Sequence, residues 1–343
     1  MIKFSEYVSL GHPDKVADYI SQYLLDRYIE QDPDTRYAVE VQIKDLNVTL
    51  GGEVSSRHHF TDDEIAGFVR AAVDEIGYNG EYMRKWGAEN TICGDLLIVT
   101  SQIGQQSPDI AQGLSGWGDQ GIFFGFYSHE TGSCGLSPEH SLAQGLCHAL
   151  FNSGIGGLDI KTQVIMNGGK VTKTIVAIPL LQDSDTAKVE DFVRGFKSFR
   201  NSEVIINGTG RYVRHSSIAD CGTTGRKLAV DFYGGACRIG GGSPWTKDGS
   251  KADLTLNLYA RELAKEAARD CGCDTFVSLA CCIGKKEVEF LICDDAGNII
   301  AEGTEVTDPA MLRKHYKLDT PIYASMCRWG LFGQFQTDKE WER

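Results

Sequence analysis

The chain has 343 residues, 42% of them hydrophobic and 10% aromatic, with a formal net charge of −13. That length can bury a large core and leaves room for two or three domains, while the acidic balance argues against broad nucleic-acid binding, which needs a basic face. No apolar run approaches a membrane span, and the start, Met1 to Glu6, lacks the basic-then-apolar layout of a signal peptide; the expectation is a cytoplasmic protein without a membrane partner. The 11 cysteines form no Cys-x-x-Cys pair of the kind a zinc site wants and read as reduced thiols, many of them small core residues.

Residues 4–8 fit a strand, and Gly11-His12-Pro13-Asp14-Lys15 follows where a loop turns into a helix. Pro13 presets the first helical turn, where its missing N–H costs nothing. Val16, Ile20, Leu24 and Tyr28 then recur every four residues and draw a helix to about residue 30. The segment therefore sets a proton carrier, a carboxylate and a cation at a helix start, where free N–H groups favour an anion, although an ordinary capped helix uses the same residue types. Tyr37, Val39, Val41 and Ile43 alternate as a strand, and so do Leu46, Val48 and Leu50. Thr61 and Glu64 make a capping box ahead of a stripe of Ile65, Phe68, Val69, Ala72 and Ile76, and residues 96–99 form an apolar strand. The order is β-α-β-β-α-β.

The same order recurs. Residues 122–127 are a strand, 137–150 a helix, 162–166 and 171–178 strands flanking the hairpin signal Asn167-Gly168-Gly169, 186–199 a helix and 204–206 a strand. A third pass runs through a strand at 228–232, a long helix from 250 to about 270, strands at 276–282 and 288–293, a helix opened by Asp308-Pro309, and a last strand at Ile322-Tyr323. Three sheets, each with one helix-covered face, could bury those helices against one another. The bare faces would then need a partner, most simply a second subunit.

Charge collects on glycine-rich turns at Gly118-Asp119-Gln120-Gly121, Asp159-Ile160-Lys161, Asn207-Gly208-Thr209-Gly210-Arg211-Tyr212, residues 220–227 and residues 240–253. In the last of these, three consecutive glycines let backbone N–H groups approach an anion, with Lys247, Lys251 and Asp253 following at a helix start. Neither a Walker A loop nor a Rossmann G-x-G-x-x-G in its proper context is present. Cations Lys15, Lys161, Arg211, Arg226, Lys227, Lys247 and Lys251 lie at element boundaries beside glycine or carboxylate, as Mg²⁺ bridging a polyphosphate would require. The residues alone thus suggest a Mg²⁺-dependent enzyme acting on a nucleoside polyphosphate.

Gly11-His12-Pro13-Asp14-Lys15, Gly52-Glu53, Gln106-Ser107-Pro108-Asp109-Ile110, Gly118-Asp119-Gln120-Gly121, Thr209-Gly210-Arg211, Gly225-Arg226-Lys227 and the Gly-Gly-Gly…Lys-Asp of 240–248 occur in one collinear series. The series resembles the S-adenosylmethionine synthetases (methionine adenosyltransferases) from Ser5 to about Gly333. The resemblance implies an α+β fold of three β-α-β-β-α-β repeats about a pseudo-threefold axis, with segments 1–107, 114–214 and 219–343 as its units. It implies attack of methionine sulfur on C5′ of ATP, release of the whole triphosphate, and hydrolysis of that triphosphate to pyrophosphate and phosphate. It also implies two Mg²⁺ and one K⁺ per site, and a homodimer or dimer of dimers with active sites between subunits. Two other readings stay open: a triphosphatase or relative using another thioether, and a non-catalytic regulatory paralogue.

Carried over residue by residue, the resemblance gives His12, Lys161, Arg226 and Lys247 as catalytic. His12, Asp159, Lys161, Arg211, Tyr212, Asp220, Arg226, Lys227, Ser243 and Lys247 would bind ATP, with Tyr212 stacking on adenine. Glu53, Gln106, Asp119, Asp220 and Lys251 would bind methionine. Asp14 and Asp253 would hold Mg²⁺ and Glu40 would hold K⁺. Departures from the family pattern are Leu10 for Glu, Gly157-Leu158 for Arg-Pro, Gly208 for Pro, Ile239 for His, Ser243-Pro244-Trp245-Thr246 for Ala-Phe-Ser-Gly, and a shortened stretch between Ile110 and Gly118. In the family that stretch is a loop over the site, so a short one should exclude water less well. Trp245 is expected to alter the pocket beside the phosphate loop.

Overall fold

A computed structural model describes residues 1–105, 116–130, 132–182 and 185–343. The first third of the chain forms β1 (Ile2–Val8), α1 (Pro13–Gln31), β2 (Arg36–Lys44), β3 (Asn47–Ser55), α2 (Asp62–Ile76), α3 (Gly80–Trp86) and β4 (Ile98–Gly104). The middle forms β5 (Gly121–Tyr127), α4 (Pro138–Ser153), β6 (Lys161–Asn167), β7 (Lys170–Ala177), α5 (Thr186–Gly195) and β8 (Glu203–Ile206). The last part forms β9 (Gly222–Thr223), α6 (Leu228–Asp231), α7 (Ala252–Cys271), β10 (Thr275–Cys281), β11 (Glu287–Asp294), β12 (Ile299–Val306), α8 (Pro309–His315) and α9 (Tyr323–Cys327). This is the expected mixed α+β architecture on three sheets.

The sheets are ordered β4-β3-β2-β9, β1-β6-β7-β8 and β12-β11-β10-β5. The opening strand of each third is therefore lent to the hairpin of the next: β1 pairs antiparallel with β6, β5 with β10, and β9 with β2. The three parts of the chain interlock through these exchanged strands. In the first two sheets the last strand runs parallel to its neighbour, β4 beside β3 and β8 beside β7, as a helical crossover requires.

The third unit departs from the expected order. Residues 228–231 are a short helix rather than a strand, and the strand role passes to the two-residue β9. Ile322-Tyr323 opens α9 instead of forming a strand. The sheet is completed by β12, which returns antiparallel to β11 after a tight turn in which Asp294 accepts from the amides of Ala296 and Asn298. Cys271 and Cys273, expected as thiols, are joined as a disulfide around Gly272 at the end of α7, while the other cysteines are free.

Each sheet packs one face on helices. Tyr37, Val39, Val41 and Ile43 of β2 lie in one core with α1, α2 and part of α7. Val164 and Val176 lie in a second core with α4 and α5, and Val277, Leu279 and Val288 in a third with α7. The opposite faces are bare and carry exposed Ile2, Phe4, Ile98 and Ile122. No helix among the described residues is long and apolar enough to cross a membrane.

α1 is buried on nearly every side, its polar residues included. Those polar groups satisfy backbone donors and acceptors arriving from other segments, as burial demands. Ser21 donates to the carbonyl of Val39 (2.8 Å), Gln22 accepts from the amide of Thr246 (2.9 Å), and Asp26 accepts from the amides of Tyr323 and Ala324 (both 2.9 Å). The loops that carry the candidate site are pinned to this helix.

Candidate active site

The site grows from the N-terminus of α1. His12 is the N-cap and its Nδ1 accepts from the amide of Asp14 at 3.2 Å. Burial pushes its pKa down to about 3, helped by the positive charges of Lys227 and Lys161 against the opposing Asp14. The ring is therefore neutral near pH 7, and because Nδ1 accepts, the proton sits on Nε2, where it is a hydrogen-bond donor rather than a titrating acid. The backbone here is stitched to the segment before β6: Ser9 donates to the carbonyl of Leu158 (2.5 Å), Tyr78 donates to the carbonyl of Gly11 (2.7 Å), and a Cβ on Gly11 would meet the Leu158 oxygen at 2.3 Å. Asp159 and Lys161 are delivered to the His12 side by that contact.

Asp14 faces the second segment. Its Oδ1 accepts from the amide of Thr223 (2.9 Å) and its Oδ2 takes the Lys227 ammonium at 2.5 Å, with Arg226 Nε 3.7 Å away. Burial opposes ionisation, but Lys227 and the Thr223 amide outweigh it and hold the carboxyl below its usual range. The approach of this strand demands glycine at 222, where a Cβ would meet the Pro13 oxygen at 2.1 Å.

Lys15 does not face the site. It is 2% exposed, and its ammonium bonds both oxygens of Asp231 (2.7 and 2.8 Å) and Asp18 (3.2 Å). Trp245 is equally buried: its ring lies under Lys15, 4.7 Å from the ammonium, and its N–H donates to Asp231 at 2.8 Å. Trp245 thus builds the floor beneath the glycine-rich loop instead of reshaping the pocket mouth. Asp18 in turn accepts from the amide of Gly225 (2.8 Å), and Ser243 lies within 3.3 Å of where a Gly225 Cβ would be. The Arg226-Lys227 turn and the 240–247 loop are therefore held edge to edge. Leu10, where the family pattern has a charge, is 2% exposed in the core.

The third segment repeats the carboxylate–lysine pairing at the start of α7. Lys247 pairs with Asp253, and a Cβ on Gly242 would meet Asp253 Oδ1 at 1.9 Å, so only glycine leaves that carboxylate its place. Lys251 is tethered to the buried Asp248 at 3.0 Å, whose other contacts are the amides of Tyr37 and Ser250. Asp119 lies close by: its carbonyl accepts from Cys281, whose thiol is raised to about 11 by burial first, with Asp119 and Asp253 adding negative charge.

On the far side of His12, Asp159 accepts from the amide of Ser216 (3.0 Å), and burial lifts its pKa to about 6. Tyr212 donates its hydroxyl to the Asp159 carbonyl (3.2 Å), and Asp220 bonds its neighbouring amide of Cys221 (2.8 Å). Arg211 is exposed beside them. Glu40 stands on the outward face of β2, accepting from Thr224 and from Thr246 (3.0 Å). Glu53 shares that face, opposite Ala38 in register, and no hydrogen bond or ion pair ties it to the other candidates among the described residues. Gln106 lies outside the described residues. Reading the sequence alone missed Asp18, Asp231, Thr224 and Asp248; a buried acid's only signal is its spacing on a helix beside an equally buried lysine.

These segments bring lysine and arginine side chains to the starts of two long helices, each start with a carboxylate beside a lysine, on a three-sheet fold of exchanged strands. Such a combination of cations, carboxylates and helix starts suits an anion accompanied by hard cations. Sequence models of the S-adenosylmethionine synthetase N-terminal and C-terminal domains match residues 1–108 and 215–343. An S-adenosylmethionine synthase of Oleidesulfovibrio alaskensis is 33% identical over 377 residues, covering 99% of this chain and 94% of its own. One from Acholeplasma laidlawii is 31% identical over 382 residues, covering 99% and 96%. A solved structure described as an unusual S-adenosylmethionine synthetase from Campylobacter jejuni superposes with a TM-score of 0.88 at 30% identity, covering 100% of this chain and 96% of that one. The chain belongs to the S-adenosylmethionine synthetase family.

Proposed function

We propose that this chain makes S-adenosylmethionine from ATP and L-methionine and hydrolyses the displaced triphosphate to pyrophosphate and phosphate. The observation that carries the reading is the pair of carboxylate–lysine couples, Asp14 with Lys227 and Asp253 with Lys247, at the two helix starts. Among the described residues no cluster of three or more His, Cys, Asp or Glu could hold a metal unaided. Single carboxylates completed by phosphate oxygens suit Mg²⁺, which keeps few protein ligands. Asp14 and Asp253 would hold two such ions, which would neutralise the triphosphate when bound. Asp14 and Asp253 would turn to the metal and Lys227 and Lys247 to the phosphates, so that no charge would be left without a partner.

The methionine sulfur is an uncharged, modest nucleophile, so catalysis rests on in-line placement and on stabilising the leaving group. The sulfur lone pair forms the bond to C5′ while the C5′–O bond breaks and its electrons pass to the triphosphate. His12 Nε2–H, Lys161, Arg226, Lys227 and Lys247 are set to receive that charge, and a neutral His12 donates without needing to lose its proton. Arg211, Tyr212, Asp159, Asp220 and Ser243 would bound the nucleoside end, with Tyr212 held by Asp159 for stacking on adenine. Glu53, Asp119, Asp220 and Lys251, with Gln106, would take the methionine. The bare sheet faces, with Ile2, Phe4, Ile98 and Ile122 exposed on them, support a site completed by a second subunit docked there, in a homodimer or dimer of dimers in the cytoplasm. Units 1–107, 114–214 and 219–343 would be its three repeats. The family resemblance places K⁺ at Glu40, but the Thr224 and Thr246 hydroxyls sit at hydrogen-bond distance from its two oxygens, in the space an ion joining Glu40 to these loops would need, so potassium does not fit there and no step is drawn through it.

The test is mass-spectrometric product analysis of purified protein with ATP, methionine and Mg²⁺. The reading predicts the sulfonium product with pyrophosphate and phosphate. Triphosphate cleavage without sulfonium would replace it with the triphosphatase reading, and no turnover would replace it with that of a silent paralogue.

A further inference from the structure

Glu40 ties together the two loops that carry the phosphate-binding cations. Its Oε2 accepts from the hydroxyl of Thr224, the residue before Gly225-Arg226-Lys227, and its Oε1 accepts from the hydroxyl of Thr246 at 3.0 Å, the residue before Lys247. The Thr224 oxygen accepts from the amide of Val41 at 3.2 Å, and its single proton goes to the close, charged Glu40 oxygen in preference to the Val41 carbonyl 3.4 Å away. Thr246 is pinned more firmly still. It is 1% exposed, its amide donates to Gln22, and its carbonyl accepts from the amide of Val39 at 3.1 Å.

Thr246 also has φ = +71°. A β-branched residue in the left-handed region is an outlier that persists only where the surroundings fix it, and such residues gather at functional sites. Glycine is the relaxed choice at such a position and is what the family pattern has there. The threonine costs backbone strain and returns one thing glycine cannot supply, a hydroxyl aimed at Glu40. A hydrogen-bond distance between that hydroxyl and Oε1 leaves no space between them for an ion.

We propose that the Thr246 hydroxyl takes the structural place of a monovalent cation at Glu40, so that this chain needs no potassium to align Lys227 and Lys247. The inference rests on the reading of the site as an S-adenosylmethionine synthetase. It predicts a covalently built substitute: where a bound cation would draw the two loops onto Glu40, two hydroxyl donors from those loops already do so.

Two measurements decide it. In the first, initial rates are compared in potassium chloride and in tetramethylammonium chloride at equal ionic strength. The wild type and Thr246→Ser should differ between salts by less than about twofold, and Thr246→Gly, or Thr246→Ala should the glycine variant misfold, should become potassium-activated by about tenfold or more. Saturable potassium activation of the wild type by about tenfold or more would overturn the proposal. In the second, thallium(I), a potassium-sized probe, is titrated by ²⁰⁵Tl NMR. Absence of a bound signal in the wild type and its appearance in Thr246→Gly support the proposal; a wild-type site that disappears in Glu40→Gln overturns it. If no sulfonium forms in either salt, the assigned activity fails while the thallium titration still decides the cation question.

Discussion

At the scale of single residues, His12 works as a fixed dipole. Its Nδ1 is occupied by the Asp14 amide and its ring is buried beside two lysines, so the imidazole stays neutral across the physiological range. The linkage sign follows from a folded pKa near 3 against an unfolded value near 6.5. Below about pH 6.5 the unfolded chain takes up a proton that the folded one refuses, so stability contributed at this residue is present above that pH and is lost as pH falls toward 3. His12→Gln, which keeps an N–H donor, should flatten that acid limb in urea unfolding measured from pH 7 to pH 4. The His12 ring signals in ¹H–¹⁵N spectra should show no titration above about pH 5. His12→Ala should lower kcat by about 10²–10³-fold, the usual cost of one oxyanion donor, with a smaller change in KM for methionine.

At the scale of elements, the active loops are fastened by the buried quartet of Lys15, Asp18, Asp231 and Trp245. Removing one member of a buried ion pair leaves the other charge uncompensated, so Asp231→Ala should cost about 3–5 kcal/mol in equilibrium unfolding. Trp245→Phe keeps an aromatic ring but removes the N–H to Asp231 and part of the buried indole, and should cost at least about 1.5–3 kcal/mol. Equal stability of Trp245→Phe and wild type would show that the indole hydrogen bond carries nothing. The elements themselves were unevenly legible. β2, β3, α2, α4, β6, β7 and α7 announce themselves by period and caps, and α1 by its four-residue apolar repeat behind Pro13 although it is buried on nearly every side. α3 is short and has no stripe, and its only herald is the Asn79 cap, which accepts from the amides of Glu81 and Tyr82. Residues 228–232 alternate no better than they turn, and burial of Asp231 against Lys15 fixes them as helix. β12 escapes notice because Glu302, Gly303 and Glu305 interrupt its pattern on a largely exposed edge.

At the scale of the whole molecule, strand exchange is invisible to any local reading, because it depends on which distant edges meet. β1 reads as the first strand of its own repeat but completes the sheet of the next. The candidate residues were legible because glycine, cation and carboxylate recur at helix starts; their fastening was not, because Lys15 reads as one more cation until Asp231 is seen beneath it. The bare sheet faces carry the last expectation. Phe4 is 63% exposed and Ile122 58% exposed, on outward faces of two different sheets. The double variant Phe4→Glu, Ile122→Lys should sediment as a monomer where the wild type sediments as a dimer or larger, and should lose turnover while keeping its far-ultraviolet circular dichroism. Retained activity in a monomer would show that one chain holds a complete site.

If one set of residues both displaces the triphosphate and cleaves it, rapid-quench analysis with γ-labelled ATP will show the two steps in order. With methionine present, a single turnover should yield sulfonium product, pyrophosphate and phosphate in equal amounts, with the sulfonium formed no later than the phosphate. Phosphate released at the same rate with and without methionine, ahead of any sulfonium, would contradict the account.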